Sequence, residues 1–174
     1  MKRFDQIALG RNISVVFLLV VLAWPFEGWS RTTGHACNVD HVVKMLLRNW
    51  ADTLERSWKD NNPNLIVDKY QANAVLLPTC ANGPMIGRGQ IKGYFVKFLE
   101  DKPIVTELGE PTVGGDCNVP FGSGLYTFKL DGGAGAQLRA RYTYIFHRTG
   151  PASWLVTQHH SSLEPVPPSA CAPH

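Results

Sequence analysis

The chain has 174 residues and a mass of 19.3 kDa, with 44% hydrophobic and 18% charged residues, which is enough for one domain with an ordinary core and appendages at its ends. A formal charge of +3 and a pI near 8.7 come from scattered basic residues with no Lys/Arg run, and this argues against nucleic acid as a partner. Neither a CxxC nor a Cys/His spacing of the zinc type occurs, so no metal and no cofactor are expected.

At the N-terminus, Lys2, Arg3 and Arg11 precede the apolar run Ile13 to Trp24. Positive residues before about a dozen apolar ones are the pattern of a secretory signal peptide, whereas a spanning helix needs about 20. Residues 1–36 are therefore expected to be removed, with cleavage after Ser30 or after Ala36. The mature protein is expected to be periplasmic or secreted, without membrane attachment.

Export changes the reading of Cys37, Cys80, Cys117 and Cys171, because disulfides persist in oxidising compartments. Four cysteines allow three connectivities. We take Cys37 with Cys117 as the working pair, since it would tie the start of the first helix to the sheet. Cys80, in apolar surroundings, is the candidate for a buried thiol.

From Val39 to Lys59, the residues Val43, Leu46, Leu47, Trp50, Leu54 and Trp58 recur at helical spacing and form one apolar stripe. Asn38 or Asp40 caps its start, and Asn61-Asn62-Pro63 ends it and opens a short helix, Asn64 to Tyr70. A strand, Ala74 to Pro78, and a turn, Cys80 to Pro84, lead to a third helix, Gln90 to Glu100. Strands are then expected at Ile104–Glu110, Gly124–Leu130, Gln137–Arg148 and Trp154–Ser162, separated by Gly- and Pro-rich segments read as turns. The tail from residue 166 to 174 is too Pro-rich for a strand. Helices followed by a run of strands indicate an α+β domain over residues 37–165.

Alternation along the last strand puts Trp154, Val156, Gln158, His160 and Ser162 on one face and Leu155, Thr157, His159 and Ser161 on the other. The first set is assigned to the concave face, because it places Trp154 and Val156 over the helix. His160 and Ser162 then point into a cavity, where a histidine suits acid–base work near neutral pH. On the neighbouring strand Arg139 and Arg141 share a face opposite Ala140, Tyr142 and Tyr144. An inward Arg141 would grip a carboxylate through two parallel hydrogen bonds. The expected ligand pocket is thus Trp58, Tyr94, Tyr126, Arg141, His160 and Ser162, with no catalytic residue assigned unless His160 serves as one.

Five short motifs, in this order, carry a family resemblance: Ala74-Val-Leu-Leu-Pro-Thr79 with Asn82-Gly-Pro84; Ile91-x-x-Tyr94-Phe95; Tyr126-Thr-Phe128; Ala140-Arg-Tyr-Thr-Tyr144; and Trp154-Leu-Val-x-x-His159-His-Ser-Ser162. Together they resemble the nuclear transport factor 2-like superfamily, and within it exported bacterial proteins similar to the association domain of calcium/calmodulin-dependent protein kinase type II. The pattern departs in three places: Asn61-Asn62-Pro63 stands where a Gly-Asp-Pro turn is usual, Cys80 follows Thr79, and the loop Asn118 to Gly124 is idiosyncratic.

The resemblance implies a cone, a curved antiparallel sheet wrapped around the long first helix, with a partly polar cavity at its open end. It also implies an association module that pairs with itself as a homodimer or larger, with a small molecule as a further partner. The chain has no Gly-rich ATP loop, catalytic Asp/Asn loop or Asp-Phe-Gly, so it is not itself a kinase. The leading expectation is a non-catalytic binding module, with a carboxylate-bearing ligand in its cavity. The alternative implied by the superfamily is an isomerase or cyclase, similar to ketosteroid isomerase or SnoaL-like enzymes, that uses His160 and Arg141.

Overall fold

A computed structural model describes residues 37–164; the signal-peptide and tail expectations lie outside these residues. The first helix, α1 (Val39–Lys59), begins where the Asn38 side chain accepts the His41 N–H at 3.0 Å and ends at Asp60. Its buried stripe of Val43, Leu47, Trp50 and Leu54 faces the sheet. A single turn, α2 (Asn64–Val67), follows. It stops short of Tyr70, because Tyr70 already pairs with Val156 in the sheet.

The remaining elements are β1 (Tyr70–Leu77), β2 (Met85–Ile86), α3 (Gly87–Phe98), β3 (Ile104–Leu108), β4 (Thr112–Gly115), β5 (Pro120–Lys129), β6 (Gln137–Gly150) and β7 (Ser153–Leu163). The strands form one curved, unclosed sheet in the order β2-β1-β7-β6-β5-β3, with β4 on β5. This is the α+β architecture expected, with one difference in strand direction. β1 and β7 pair in parallel, so the first long strand and the last lie side by side.

Two segments read as turns are strands. Thr112–Gly115 pairs with Pro120–Ser123, and β5 starts at Pro120 rather than Gly124. Their glycines make room where neighbours approach closely. A Cβ on Gly122 would lie 2.6 Å from Val43 Cγ1 of α1, and one on Gly124 2.7 Å from the Tyr142 hydroxyl.

The concave face buries Tyr126 and Phe128 from β5, and Ala140, Tyr142, Tyr144 and Phe146 from β6. The outer face of β6 carries Arg139, Arg141 and Thr143, whose partners are Thr127, Leu125 and Ser123 on β5. Cys37 and Cys117 form a disulfide, with Cα atoms 6.2 Å apart, joining the residue before Asn38 to the β4–β5 turn. Cys80 is exposed rather than buried, because it sits in the turn after β1 with φ 59°.

A bulge in β7 decides the site. Ile145 pairs with Gln158, yet the next residue, Phe146, pairs with Val156. Thr157 is thus an extra residue on β7, and its hydroxyl donates to the Ile145 carbonyl at 3.0 Å. One extra residue reverses the alternation beyond it. Val156 faces the core, and so do His159 and Ser161, while Gln158 and His160 face outward.

Candidate functional site

Between α1, α3 and the concave face lies a cavity of about 400 Å³. That is within the range typical of small-molecule sites. Its apolar wall comes from Trp50 on α1, Phe95 and Phe98 on α3, and Phe128 and Leu138 on β5 and β6. The polar wall is Thr79, Tyr126, His159 and Ser161. Lys97 and Asp101, both exposed, stand at the rim and balance in formal charge.

His159 is 3% exposed and lies flat against Tyr144, with ring centroids 3.9 Å apart and planes at 17°. Trp50 meets it edge-on at 5.3 Å. Its Nδ1 is 2.8 Å from the Tyr70 hydroxyl, and its Nε2 is 3.4 Å from the Tyr126 hydroxyl. Burial, followed by the charge of His160, pushes its pKa down to about 3. The ring is therefore neutral at physiological pH.

Hydrogen bonding fixes its tautomer. An indole N–H only donates, and that of Trp50 donates to the Tyr70 oxygen at 3.1 Å. Tyr70 is fully buried, and the one acceptor for its own hydrogen among the described residues is His159 Nδ1. The imidazole hydrogen is thus on Nε2 and points at the Tyr126 oxygen. Tyr126 in turn donates to Ser161 Oγ at 2.5 Å, and Ser161 shares a close hydrogen bond with Thr79 Oγ1. Hydrogen bonding therefore runs one way, from Trp50 through Tyr70, His159 and Tyr126 to the Ser161–Thr79 pair on the cavity wall.

Burial raises the pKa of the Tyr70, Tyr94, Tyr126 and Tyr144 hydroxyls, so all four stay protonated. Among the described residues no cluster of three His, Cys, Asp or Glu side chains could hold a metal ion.

Of the six residues expected to form the pocket, Tyr94 and Tyr126 line this cavity and the other four do not. Trp58 is held away from it by its indole N–H, which donates to the Pro103 carbonyl at 3.0 Å. Arg141 is exposed on the outer face and donates to the Leu163 carbonyl at 3.4 Å. It therefore cannot grip a carboxylate inside. His160 lies outward opposite Thr143, and Ser162 opposite Arg141. The Thr157 bulge is the physical cause for both, since strict alternation had placed them inward.

Strand alternation alone missed His159 and Ser161, and neither Tyr70 nor Thr79 stood out as a site residue. A usable signal was present on β6. Tyr142, Tyr144 and Phe146 form a bulky aromatic row opposite arginines, so that face belongs inside. His159 and Ser161, the cross-strand partners of Tyr144 and Tyr142, then belong inside with it.

The structure resembles several solved ones. A protein from Xanthomonas campestris, described as a calcium/calmodulin dependent protein kinase II association domain, aligns at 33% identity and TM-score 0.60, covering 71% of this chain and 86% of that one. A nuclear transport factor 2-like superfamily protein from Salmonella enterica aligns at 12% identity and TM-score 0.60 over 74% and 93%. A ketosteroid isomerase-like protein from Erwinia carotovora aligns at 13% and 0.56 over 72% and 96%. At such identities the last two show the fold alone. No curated protein matches the chain. The family model for the calcium/calmodulin dependent protein kinase II association domain matches residues 44–165. With that match over most of the sequence and a relative at 33% identity, the chain belongs to the calcium/calmodulin dependent protein kinase II association domain family, with a nuclear transport factor 2-like fold.

Proposed function

We propose that this protein is an exported association module that pairs with a second copy of itself through the outer face of its sheet and holds a small uncharged molecule in its cavity. The observation that carries the first part is the composition of that outer face. No helix among the described residues covers it, yet Ile86, Leu77, Phe121 and Leu125 stand exposed there, at 58%, 36%, 38% and 42%. Ile145 and Thr143 lie between them across the pairing. Apolar side chains on both flanks, with the polar Gln158 and His160 of β7 between them and Arg139 and Arg141 toward one end, have the mixed make-up of a protein interface. A family whose name is association supports a second copy as the occupant. Export is supported by the basic and apolar N-terminal pattern and by a disulfide suited to an oxidising compartment.

The cavity supports binding over acid–base chemistry, because its only histidine is buried, neutral and hydrogen-bonded at both nitrogens. The isomerase-like alternative depended on His160 and Arg141, and both lie on the outer face.

Sedimentation equilibrium of the mature chain tests the self-association. The wild type is expected at twice the chain mass or more. Phe121→Glu with Leu125→Glu sets like charges against each other across the interface, a penalty of several kcal/mol, so the dissociation constant rises at least ~100-fold. A wild type that remains a single chain at high micromolar concentration contradicts this part of the reading.

A further inference from the structure

The three hydroxyls of the polar wall, Tyr126, Ser161 and Thr79, bring three hydrogens. Two hydrogen bonds join them, Tyr126 to Ser161 and Ser161 with Thr79, and each consumes one hydrogen. Tyr126 cannot return its hydrogen to His159, because His159 Nε2 is itself a donor once Tyr70 has taken Nδ1. One hydrogen is left over, carried by whichever of Ser161 and Thr79 is not donating to the other. Neither hydroxyl has another acceptor among the described residues, and both line the cavity. The buried Tyr142 and Tyr144 hydroxyls make no hydrogen bond and stay outside this count.

From this we infer that the cavity selects a neutral, mostly apolar molecule with a single acceptor oxygen, such as a ketone, an ester carbonyl or an ether, bonded to the surplus hydrogen of the Ser161–Thr79 pair. The inference rests on the reading of the cavity as a binding site and adds its ligand class. A ligand offering only N–H donors meets a wall already polarised toward it. A carboxylate meets no charged group on that wall, and at the rim Lys97 is offset by Asp101. The remaining walls, Trp50, Phe95, Phe98, Phe128 and Leu138, suit a flat hydrocarbon body.

The count makes an unusual prediction. Deleting Thr79's hydroxyl does not remove the surplus donor, because Ser161 then keeps its own hydrogen. Removing all three hydroxyls would not empty the wall of donors, because His159 Nε2–H then loses its acceptor Tyr126 and is itself free on the cavity wall.

The test uses the mature protein and three probes with one skeleton: 2-acetylnaphthalene, 2-ethylnaphthalene and 2-naphthoate. Binding is followed by quenching of tryptophan fluorescence, and the carbonyl stretch of the bound ketone by infrared difference spectroscopy. The expected results are a stretch lowered from its value in hexane and weaker binding of 2-naphthoate than of the ketone. Thr79→Val should keep the lowered stretch. Tyr94→Phe, which removes the other hydroxyl lining the cavity, should keep it as well and leave the ketone-to-hydrocarbon affinity ratio within about two-fold of wild type.

An unshifted stretch in wild type overturns the inference and needs no variant to fold. So does its loss in Thr79→Val or in Tyr94→Phe, a ratio that falls about three-fold or more in Tyr94→Phe, or tightest binding by 2-naphthoate. In all those cases the cavity still binds its probes and the binding-site reading survives. If no probe binds, the binding-site reading and the inference fall together.

Discussion

Trp50→Ala is expected to destabilise the protein by about 3–5 kcal/mol, the largest effect of any single substitution considered. Trp50 is 4% exposed at the middle of α1 and touches the rings of Phe95, Tyr144 and His159 at centroid distances of 6.5, 5.3 and 5.3 Å. Truncation removes that contact surface and the indole N–H that Tyr70 accepts. The new void opens into the cavity beside it, so water can enter it, which holds the cost within this range rather than above it. Trp50→Phe keeps most of the aromatic contact and loses the donor, for about 1–2 kcal/mol. Urea unfolding at constant slope reads both values. A Trp50→Ala loss below about 1 kcal/mol would mean that α1 is not packed against β6 and β7 as described.

Cys37→Ser with Cys117→Ser ranks next. The disulfide closes a sequence separation of 80, and constraining a loop of that size in the unfolded chain contributes about 3–4 kcal/mol. Its native ends are already held. The Asp116 carboxylate accepts the N–H groups of Asn118 and Val119 at 2.7 and 2.9 Å, which lowers its pKa. The Trp154 indole donates to the Cys117 carbonyl at 2.9 Å. The bond therefore gives up little native freedom, and most of its effect falls on the unfolded ensemble. The melting temperature of the double variant should fall by roughly 10 °C or more, and reduction of the wild type should reproduce that fall. Cys80→Ser, at an exposed thiol, should change stability by no more than about 0.5 kcal/mol. Equal melting of oxidised and reduced protein would contradict the proposed role of the bond.

How much of this was legible in the sequence depends on the range of the forces involved. α1 was readable to the residue, because its apolar stripe and its Asn38 cap are local signals. The strands with bulky alternating residues, β3, β6 and β7, were also readable to within a residue or two. β4 and the start of β5 were not. Gly114, Gly115, Gly122 and Gly124 look like punctuation, while Gly122 and Gly124 serve close approach to Val43 and Tyr142. The parallel pairing of β1 with β7 joins residues more than eighty positions apart, and no local pattern encodes it.

The misplacement of His160 and Ser162 came from one residue. Thr157 carries no mark of a bulge, because its hydroxyl bond to Ile145 exists only once β6 and β7 are paired. Counting by twos across it exchanged His159 and Ser161 for His160 and Ser162. The aromatic row on β6 holds the correct answer, since buried area outweighs alternation when the two disagree.

The central claim is that the cavity presents a neutral histidine of fixed tautomer, a wall for binding rather than for proton transfer. Long-range ¹H–¹⁵N NMR of histidine-labelled protein, with the His159 signal assigned through His159→Asn, measures this directly. The prediction is an Nε2–H imidazole that stays neutral from pH 8 to below pH 5, with a folded pKa of about 3. The unfolded chain takes up that proton near pH 6.5, so the folded state should be fully favoured by this group above pH 6.5 and lose that advantage as pH falls toward 3. A His159 ring that titrates between pH 6 and 7, or carries its hydrogen on Nδ1, would contradict the account.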